Sequence, residues 1–153
     1  MPGNEPITRF VGNHSFLSNF YEAAVYVEGV RWPTVEHAYQ AAKTDDEASV
    51  KLIREATTPG IAKKLGQSVS LRPDWNDVRF QIMERLIREK FKNPFLRNML
   101  IETGEAELIE GNYWNDRVWG VCLRKNEGQN LLGKLLMQVR DEVKREEADN
   151  GNF

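Results

Sequence analysis

Cysteine is nearly absent from the chain, since Cys122 is the only one among 153 residues. A lone cysteine cannot form an internal disulfide, which favours a reducing, intracellular and cytoplasmic location. With one cysteine and two histidines there is little basis for a zinc site, and no metal or other cofactor is predicted. Residues 118–123, which contain Cys122, are typical of a buried strand, so this thiol is interpreted as a packing residue.

Excess positive charge and long apolar runs are also missing. The 21 lysines and arginines are outnumbered by 23 aspartates and glutamates, for a net charge of −2. Binding of bulk nucleic acid needs many cation–phosphate contacts and is disfavoured, whereas a local pocket for one phosphate or pyrophosphate is not excluded. We expect no membrane span and no signal peptide, and the sequence indicates no obligate protein partner.

Hydrophobic periodicity and turn residues predict a mainly α fold, a compact multihelical domain with a small antiparallel β-hairpin or sheet. A single domain is predicted over residues 1–153, with its core at about 8–145 and loose tails at 1–6 and 146–153. Alternating residues around Glu28-Gly29 predict a hairpin over 24–32. Helices are predicted at about 34–43, 46–56, 59–65, 75–92, 94–103 and 130–144, and short strands at 108–109 and 118–123.

One face of the first predicted helix has a composition that suits catalysis. Glu36, Tyr39, Gln40 and Lys43 are spaced i, i+3, i+4 and i+7, so they share one side over two turns, next to Trp32. A carboxylate, a phenol, an amide and an amine are thereby brought together. The alternative is a solvated stripe with both charged groups in water, which is the usual place of such groups.

A second segment, residues 110–120, combines aromatic rings with glycines. Trp114, Asn115, Asp116, Trp119 and Gly120 are its candidate binding residues, because indole rings stack on flat ligands and glycine permits close backbone approach. Loops on a rigid scaffold commonly bind ligands. The alternative is a turn whose aromatic side chains simply fill the core.

Further candidates lie near the N-terminus. Ser18 and Asn19 are polar residues among aromatics that include Phe20, where they could hold a ligand or fix a turn. Arg9 is a candidate phosphate contact, with a solvated surface position as the alternative. His37 is interpreted as a packing residue in preference to a general base.

These segments resemble the NADAR family, also called YbiA-like. The resemblance covers about residues 8–142 and rests on separated motifs in the same order. They are FLSNF at 16–20, WPTVEHAYQAAK at 32–43, PGIAKKLG at 59–66, DW at 74–75, KF at 90–91, LIETG at 100–104, WND at 114–116, WG at 119–120 and NLLG at 130–133.

The resemblance implies an N-glycosidase of one of two kinds. Some members remove ADP-ribose from guanine, and others break down riboflavin-pathway intermediates that have a ribosylamino group. Both substrates join C1′ of a ribose to an exocyclic amine. The first kind is preferred here, with ADP-ribosylated guanine, possibly on DNA, or a nucleotide-sugar as the expected partner.

The resemblance also implies roles for the candidate residues. Lys43, with a lowered pKa, would hold the opened sugar as a Schiff base, and Glu36 would transfer protons. Direct hydrolysis by water that Glu36 activates is the alternative. Asn19 would orient the sugar, Asp116 would bind ribose hydroxyls, and the two indoles of 114 and 119 would stack on a base. A non-catalytic reader of ADP-ribose or nucleotides is the hypothesis from another class.

Overall fold

The computed structural model describes residues 5–151. The chain forms two compact units. One consists of the N-terminal segment up to Ser18 together with the chain from Phe91 onward, and the other is Asn19–Lys90. The single domain over 1–153 stays a prediction, whereas the mainly helical fold with a small antiparallel sheet is confirmed.

A β-hairpin opens the unit Asn19–Lys90. Its strands, β1 (Val25–Val27) and β2 (Val30–Trp32), pair antiparallel with Val25 opposite Trp32. The turn residues Glu28 and Gly29 have positive φ angles of 52° and 81°. Positive φ at both central residues gives a turn whose twist matches that of the two strands. The predicted hairpin is therefore confirmed.

Four helices follow, each within a few residues of its predicted range. They are α1 (Val35–Ala41), α2 (Glu47–Arg54), α3 (Pro59–Gly66) and α4 (Trp75–Lys90). The side chains of Thr34, Asp46 and Thr58 each accept a backbone N–H from three residues on, which explains where α1, α2 and α3 begin. All seven residues of α1 are buried, and the helix packs against α2, α3, α4 and β2. A helix in this position buries any polar side chain that it has.

The described part of the other unit, residues 5–18 and 91–151, contains a short 3₁₀ helix, two α-helices and two short strands. Their bounds are Gly12–Leu17 for the 3₁₀ helix, α5 (Pro94–Glu102), β3 (Gly111–Asn112), β4 (Val121–Cys122) and α6 (Leu131–Asp149). The Oδ1 atom of Asn93 accepts the N–H groups of Phe95 and Leu96 and caps α5. Helices α5 and α6 pack against each other.

The short strands of this unit differ from those predicted. β3 and β4 pair in parallel, and Leu108 makes only an isolated bridge with Ile7. The strand expected at 118–123 is reduced to two residues. The reason is that the N–H groups of Val118 and Trp119 both donate to Asp116 Oδ1, at 3.1 and 3.0 Å, so they cannot join a ladder.

The loose tail predicted at residues 146–153 is wrong for residues 146–149, because α6 continues to Asp149. The guanidinium of Arg97 donates to the carboxylates of Glu146 and Glu147 at 2.9 and 2.8 Å. This pair of contacts ties the last turns of α6 to α5. The polar composition that suggested disorder is thus the solvent-facing side of a helix. The predicted tail at residues 1–6 lies mostly outside the described residues.

Residues 5–151 lack two features that are typical of membrane proteins and of metal proteins. No helix there combines the length and the apolar composition needed to cross a membrane. No group of three or more His, Cys, Asp or Glu side chains there is arranged to hold a metal ion.

Candidate active site

The carboxylate of Glu36 lies in the buried face of α1 and is only 7% exposed. Gln40, one turn further on, donates from Nε2 to Glu36 Oε1 at 2.8 Å. The backbone N–H of Glu36 donates to the carbonyl of Asn19 at 3.1 Å, which ties the preceding loop to the first turn of α1. A buried carboxylate is costly unless it is hydrogen-bonded. The solvated stripe considered as an alternative is therefore wrong for Glu36.

Two side-chain oxygens beside Glu36 are buried acceptors. Within residues 5–151, Asn19 Oδ1 and Gln40 Oε1 accept no hydrogen bond. The Nδ2 atom of Asn19 is directed to the Sδ atom of Met83 at 3.6 Å. A buried acceptor without a donor costs about 1–3 kcal/mol, so such groups are usually explained by a functional role or a ligand. Hydroxyl groups of a sugar are donors of the kind that would satisfy them.

Lys43 is half-buried in the turn that follows the C-terminal end of α1. Its Nζ atom lies 5.9 Å from the centroid of the Tyr39 ring, and that ring lies 5.2 Å from the ring of Trp75. Burial lowers the pKa of Lys43 below its ordinary value. The charge of Glu36 opposes that shift, while the charges of Arg79 and Lys63 add to it. A lowered pKa leaves more of the amine neutral, which nucleophilic attack requires.

Two cations that act on Lys43 were not among the predicted site residues. Arg79 lies on α4, four residues after Trp75 and four before Met83, both of which are buried. A charged residue inside an apolar helical stripe was a usable signal in the sequence. Lys63 lies on α3 with its Nζ atom 5.9 Å from the Phe20 ring. Nothing in the sequence distinguished it from the adjacent Lys64.

Lys90 is a further cation that was not among the predicted site residues. It is the last residue of α4, is 1% exposed, and has its Nζ atom 5.8 Å from the Tyr21 ring. Burial lowers its pKa to about 7. Its depth favours a structural role over direct contact with a substrate.

Trp32, predicted to stand beside the catalytic face, lies on the opposite side of α1. It is 9% exposed and lines a cavity of about 240 Å³ together with Ala38, Ala41 and Ala42. At 100° per residue these alanines are on the face of α1 opposite to Glu36. Trp32 is thus not grouped with the polar stripe.

His37 has the packing role predicted for it. It is 1% exposed, and its Nδ1 atom is 2.8 Å from the hydroxyl of Thr34. Its Nε2 atom is 2.9 Å from the carbonyl oxygen of Ala56. With both ring nitrogens engaged, His37 connects the start of α1 to the chain after α2.

In the other unit, Asp116 organises the loop that was predicted to bind ligand. Its Oδ1 atom accepts the two N–H groups described above, and its own N–H donates to Asn112 Oδ1 at 3.0 Å. Asn115 adopts a positive φ of 65°. Gly120 is needed because a Cβ there would overlap Glu110 and Asn112. Asp116 and Gly120 therefore fix the shape of the loop itself.

The aromatic side chains near this loop are largely exposed. Trp114 is 59% exposed, Trp119 is partly exposed, and Tyr113 has the guanidinium of Arg9 at 5.0 Å from its ring centroid. Arg9 was predicted as a phosphate contact and here stacks on an aromatic ring. Ser18 ends the 3₁₀ helix, where its N–H donates to the carbonyl of Ser15 at 2.9 Å.

Apart from Trp32 and Ser18, the predicted site residues thus form two groups, one in each unit. Within Asn19–Lys90 the structure brings one set together: Asn19, Phe20, Glu36, Tyr39, Gln40 and Lys43. Lys63 and Arg79, which were not predicted, belong to the same set. The second set shares the 110–120 loop or lies beside it: Arg9, Trp114, Asn115, Asp116, Trp119 and Gly120.

The fold and this site define a mainly helical protein in which the buried helix α1 contains the carboxylate of Glu36 and the turn after it contains the half-buried amine of Lys43. A model of the NADAR domain family matches residues 9–144, and the chain belongs to that family. It is 38% identical over 130 residues to the N-glycosidase YbiA of Escherichia coli K12, covering 83% of this chain and 80% of that one. The NMR structure of the E. coli protein YbiA superposes with a TM-score of 0.82 at 34% identity, covering 95% of this chain and 89% of that chain.

Two further relatives differ in length. An N-glycosidase of Nostoc punctiforme is 40% identical over 134 residues, which is 84% of this chain and 85% of that protein. A riboflavin biosynthesis protein of Vibrio vulnificus is 39% identical over 134 residues, 86% of this chain. The chain spans only 36% of the length of that Vibrio protein.

Proposed function

We propose that this protein is an N-glycosidase that hydrolyses the bond between C1′ of a ribose and an exocyclic amine. The observation that carries the proposal is that the hydrogen-bonded carboxylate of Glu36 on α1 and the amine of Lys43 in the turn after α1 act on each other electrostatically. Relatives named N-glycosidases, matched over most of their length, support the same reaction class.

The proposed reaction begins with opening of the sugar ring. Glu36, as the acid, protonates the ring oxygen while the lone pair of the exocyclic nitrogen forms the C1′=N iminium. The neutral amine of Lys43 adds to C1′, the exocyclic amine leaves with a proton, and a Schiff base joins Lys43 to C1′. Water then adds to C1′ and releases the sugar aldehyde, which restores the lysine amine.

The surrounding residues have roles that follow from their contacts. The amide of Gln40 holds one carboxylate oxygen of Glu36 and orients it. The buried Oδ1 atom of Asn19 is an acceptor for a sugar hydroxyl. Burial and the two neighbouring cations keep part of Lys43 neutral, so turnover should rise with pH as this lysine deprotonates below its ordinary range.

Trapping the covalent intermediate tests this mechanism. Borohydride added during turnover should reduce the Schiff base and leave a sugar-sized mass increment on the peptide that contains Lys43. Lys43→Met should lose both the adduct and the turnover, whereas Lys51→Met, an exposed lysine on α2, should keep both. Full turnover by Lys43→Met would instead require direct attack by water activated by Glu36.

Two substrates contain the bond in question. A ribosylamino intermediate of the riboflavin pathway is favoured by the name of the Vibrio relative. ADP-ribosylated guanine, on DNA or as a nucleotide, contains the same bond and is the substrate expected from the sequence. Incubation with each substrate and detection of released sugar distinguishes them. Binding of ADP-ribose without any release would instead indicate a non-catalytic reader.

A further inference from the structure

A cavity of about 240 Å³ lies behind α1, on the side of the helix away from Glu36. Residues of β1, β2, α1, α2 and α4 enclose it, and all of them belong to the unit Asn19–Lys90. Its walls are mostly apolar and include Val27, Trp32, Ala38, Ala41, Val50 and Leu86. A concave apolar surface with a few charged groups at its edge is typical of sites for small molecules.

Two charged side chains stand at the mouth of this cavity. Arg85 and Glu28 both line it, and their side chains are 55% and 82% exposed. The Nη1 atom of Arg85 is 3.9 Å from Glu28 Oε1, which is too long for a hydrogen bond. An exposed ion pair of this kind adds little stability, so Arg85 loses little when it turns to another anion. A ligand carboxylate would accept two parallel hydrogen bonds from its guanidinium.

Arg72, the other arginine that lines the cavity, has a different state. Its guanidinium donates to both carboxylate oxygens of Asp74, at 2.6 and 3.0 Å. A guanidinium fixed in this way still presents its planar face, and such faces stack on aromatic rings. The indole of Trp32 is a second flat surface on the same cavity. These walls therefore favour an aromatic ring over an aliphatic chain.

The volume of the cavity limits the ligand to a single ring. An apolar cavity of roughly 150 Å³ is enough to bind benzene. The cavity behind α1, at about 240 Å³, thus has room for a benzene ring with a short acidic substituent. Sites for drug-sized ligands have ~300–1,000 Å³, so a nucleotide or a fused three-ring system is too large.

We propose that this cavity is a binding site for a small aromatic monocarboxylate, with the ring against Trp32 and the alanines of α1 and the carboxylate on Arg85. The site is separate from the candidate active site, because Ala38 and Ala41 lie on the face of α1 opposite to Glu36. Binding at this site does not depend on the proposed function.

Benzoate is the probe, and calorimetry and thermal unfolding measure its binding. Benzoate should bind the wild-type protein and raise its melting temperature progressively with concentration. Benzamide has the same shape without the charge and should bind about tenfold more weakly. Acetate has the charge without the ring and should also bind more weakly than benzoate. Equal binding of benzoate and benzamide, or of benzoate and acetate, contradicts the proposed ligand class.

Substitutions in the cavity locate the two parts of the ligand. Arg85→Gln should weaken benzoate roughly tenfold and leave benzamide unchanged. Arg88→Gln, on the same helix but outside the cavity, should bind benzoate as the wild type does. Ala42→Leu puts a larger side chain into the cavity and should abolish binding of both ligands. If Ala42→Leu does not fold, the comparison of Arg85→Gln with Arg88→Gln decides alone.

The cations around Lys43 are the competing location for a carboxylate, so binding must be assigned to one face of α1. Lys43→Met should bind benzoate as tightly as the wild type. In NMR spectra the ring protons of benzoate should show NOEs to the methyl groups of Ala38, Ala41 and Ala42. Loss of binding in Lys43→Met, unchanged binding in Arg85→Gln, or the absence of these NOEs would overturn the proposal.

Discussion

Helix α1 and the 110–120 loop both combine polar with aromatic residues, but the polar side chains of the two segments make different contacts. In α1 the polar side chains are buried by α2, α3 and α4 and are directed to one another, as Glu36 and Gln40 are. In the loop, the side chain of Asp116 accepts a hydrogen bond from the backbone N–H of Trp119, while the side chain of Trp114 is largely exposed to solvent. In a helix the backbone N–H and C=O groups hydrogen-bond to one another, so a polar side chain is available for catalysis. A loop needs its polar side chains as hydrogen-bond partners for its backbone.

Replacing the carboxylate of Glu36 is expected to have the largest effect, because turnover should depend on this group and not on the carboxylate of the loop. Glu36→Gln keeps the size and hydrogen bonding of the side chain but removes the proton-transfer group, so kcat should fall roughly 100- to 10,000-fold. Asp116→Asn is the matched change in the loop and should lose far less. Steady-state release of sugar measures both, and an equal loss in the two variants, at unchanged folded fraction, would give the loop a chemical role.

The buried Lys90, at the end of α4, should make the stability of the protein depend on pH. Its pKa is lowered to about 7 in the folded protein and is 10.5 ordinarily, so between these values only the unfolded chain keeps the proton. The stability of the protein should therefore rise as pH increases from about 7 to about 10.5, by an amount on the order of a few kcal/mol.

Lys90→Met should remove that rise. Urea denaturation of both proteins across this range measures it, with Lys92→Met, an exposed residue, as the control. A pH dependence that is the same in wild type and Lys90→Met would show that Lys90 does not titrate in this range.

A substitution at Gly66 can displace a side chain on the polar face of α1 without changing which polar groups that face contains. A methyl group at Gly66 overlaps the Oε1 atom of Gln40, so Gly66→Ala must displace the amide that orients Glu36. We expect roughly tenfold lower kcat with little change in KM, an effect of misplacement. Gly60→Ala, at an open position near the start of α3, should behave as wild type. Identical kcat in the two alanine variants would remove Gln40 from the orienting role.

The smallest effect is expected in the loop. Asp116→Ala removes the acceptor of the Val118 and Trp119 N–H groups and should cost about 1–2 kcal/mol of stability, as loss of a helix-capping acceptor does. Thermal unfolding measures the loss. Turnover normalised to folded protein should stay within a few-fold of wild type, and a collapse of turnover with no change in melting temperature would contradict the structural role.

Much of the local structure was predictable because it depends on short-range signals. Glu28-Gly29 indicated the hairpin, and the first three helices begin within one residue of their predicted starts, where Thr34, Asp46 and Thr58 cap them. The spacing of Glu36 and Gln40 also placed these two residues on one face. The errors arose where long-range contacts decide, as in the last turns of α6, which Arg97 holds through Glu146 and Glu147.

By itself the sequence determined the helices, the hairpin and the chemistry of the α1 face, because helical periodicity and capping act within a few residues. Only the tertiary structure decided that this face is buried, that Trp32 belongs to its opposite side, and that Lys63 and Arg79 join Lys43. These outcomes depend on how α3 and α4 pack against α1. Side chains far apart in the chain become neighbours only through that packing, and burial and neighbouring charge are what alter a pKa.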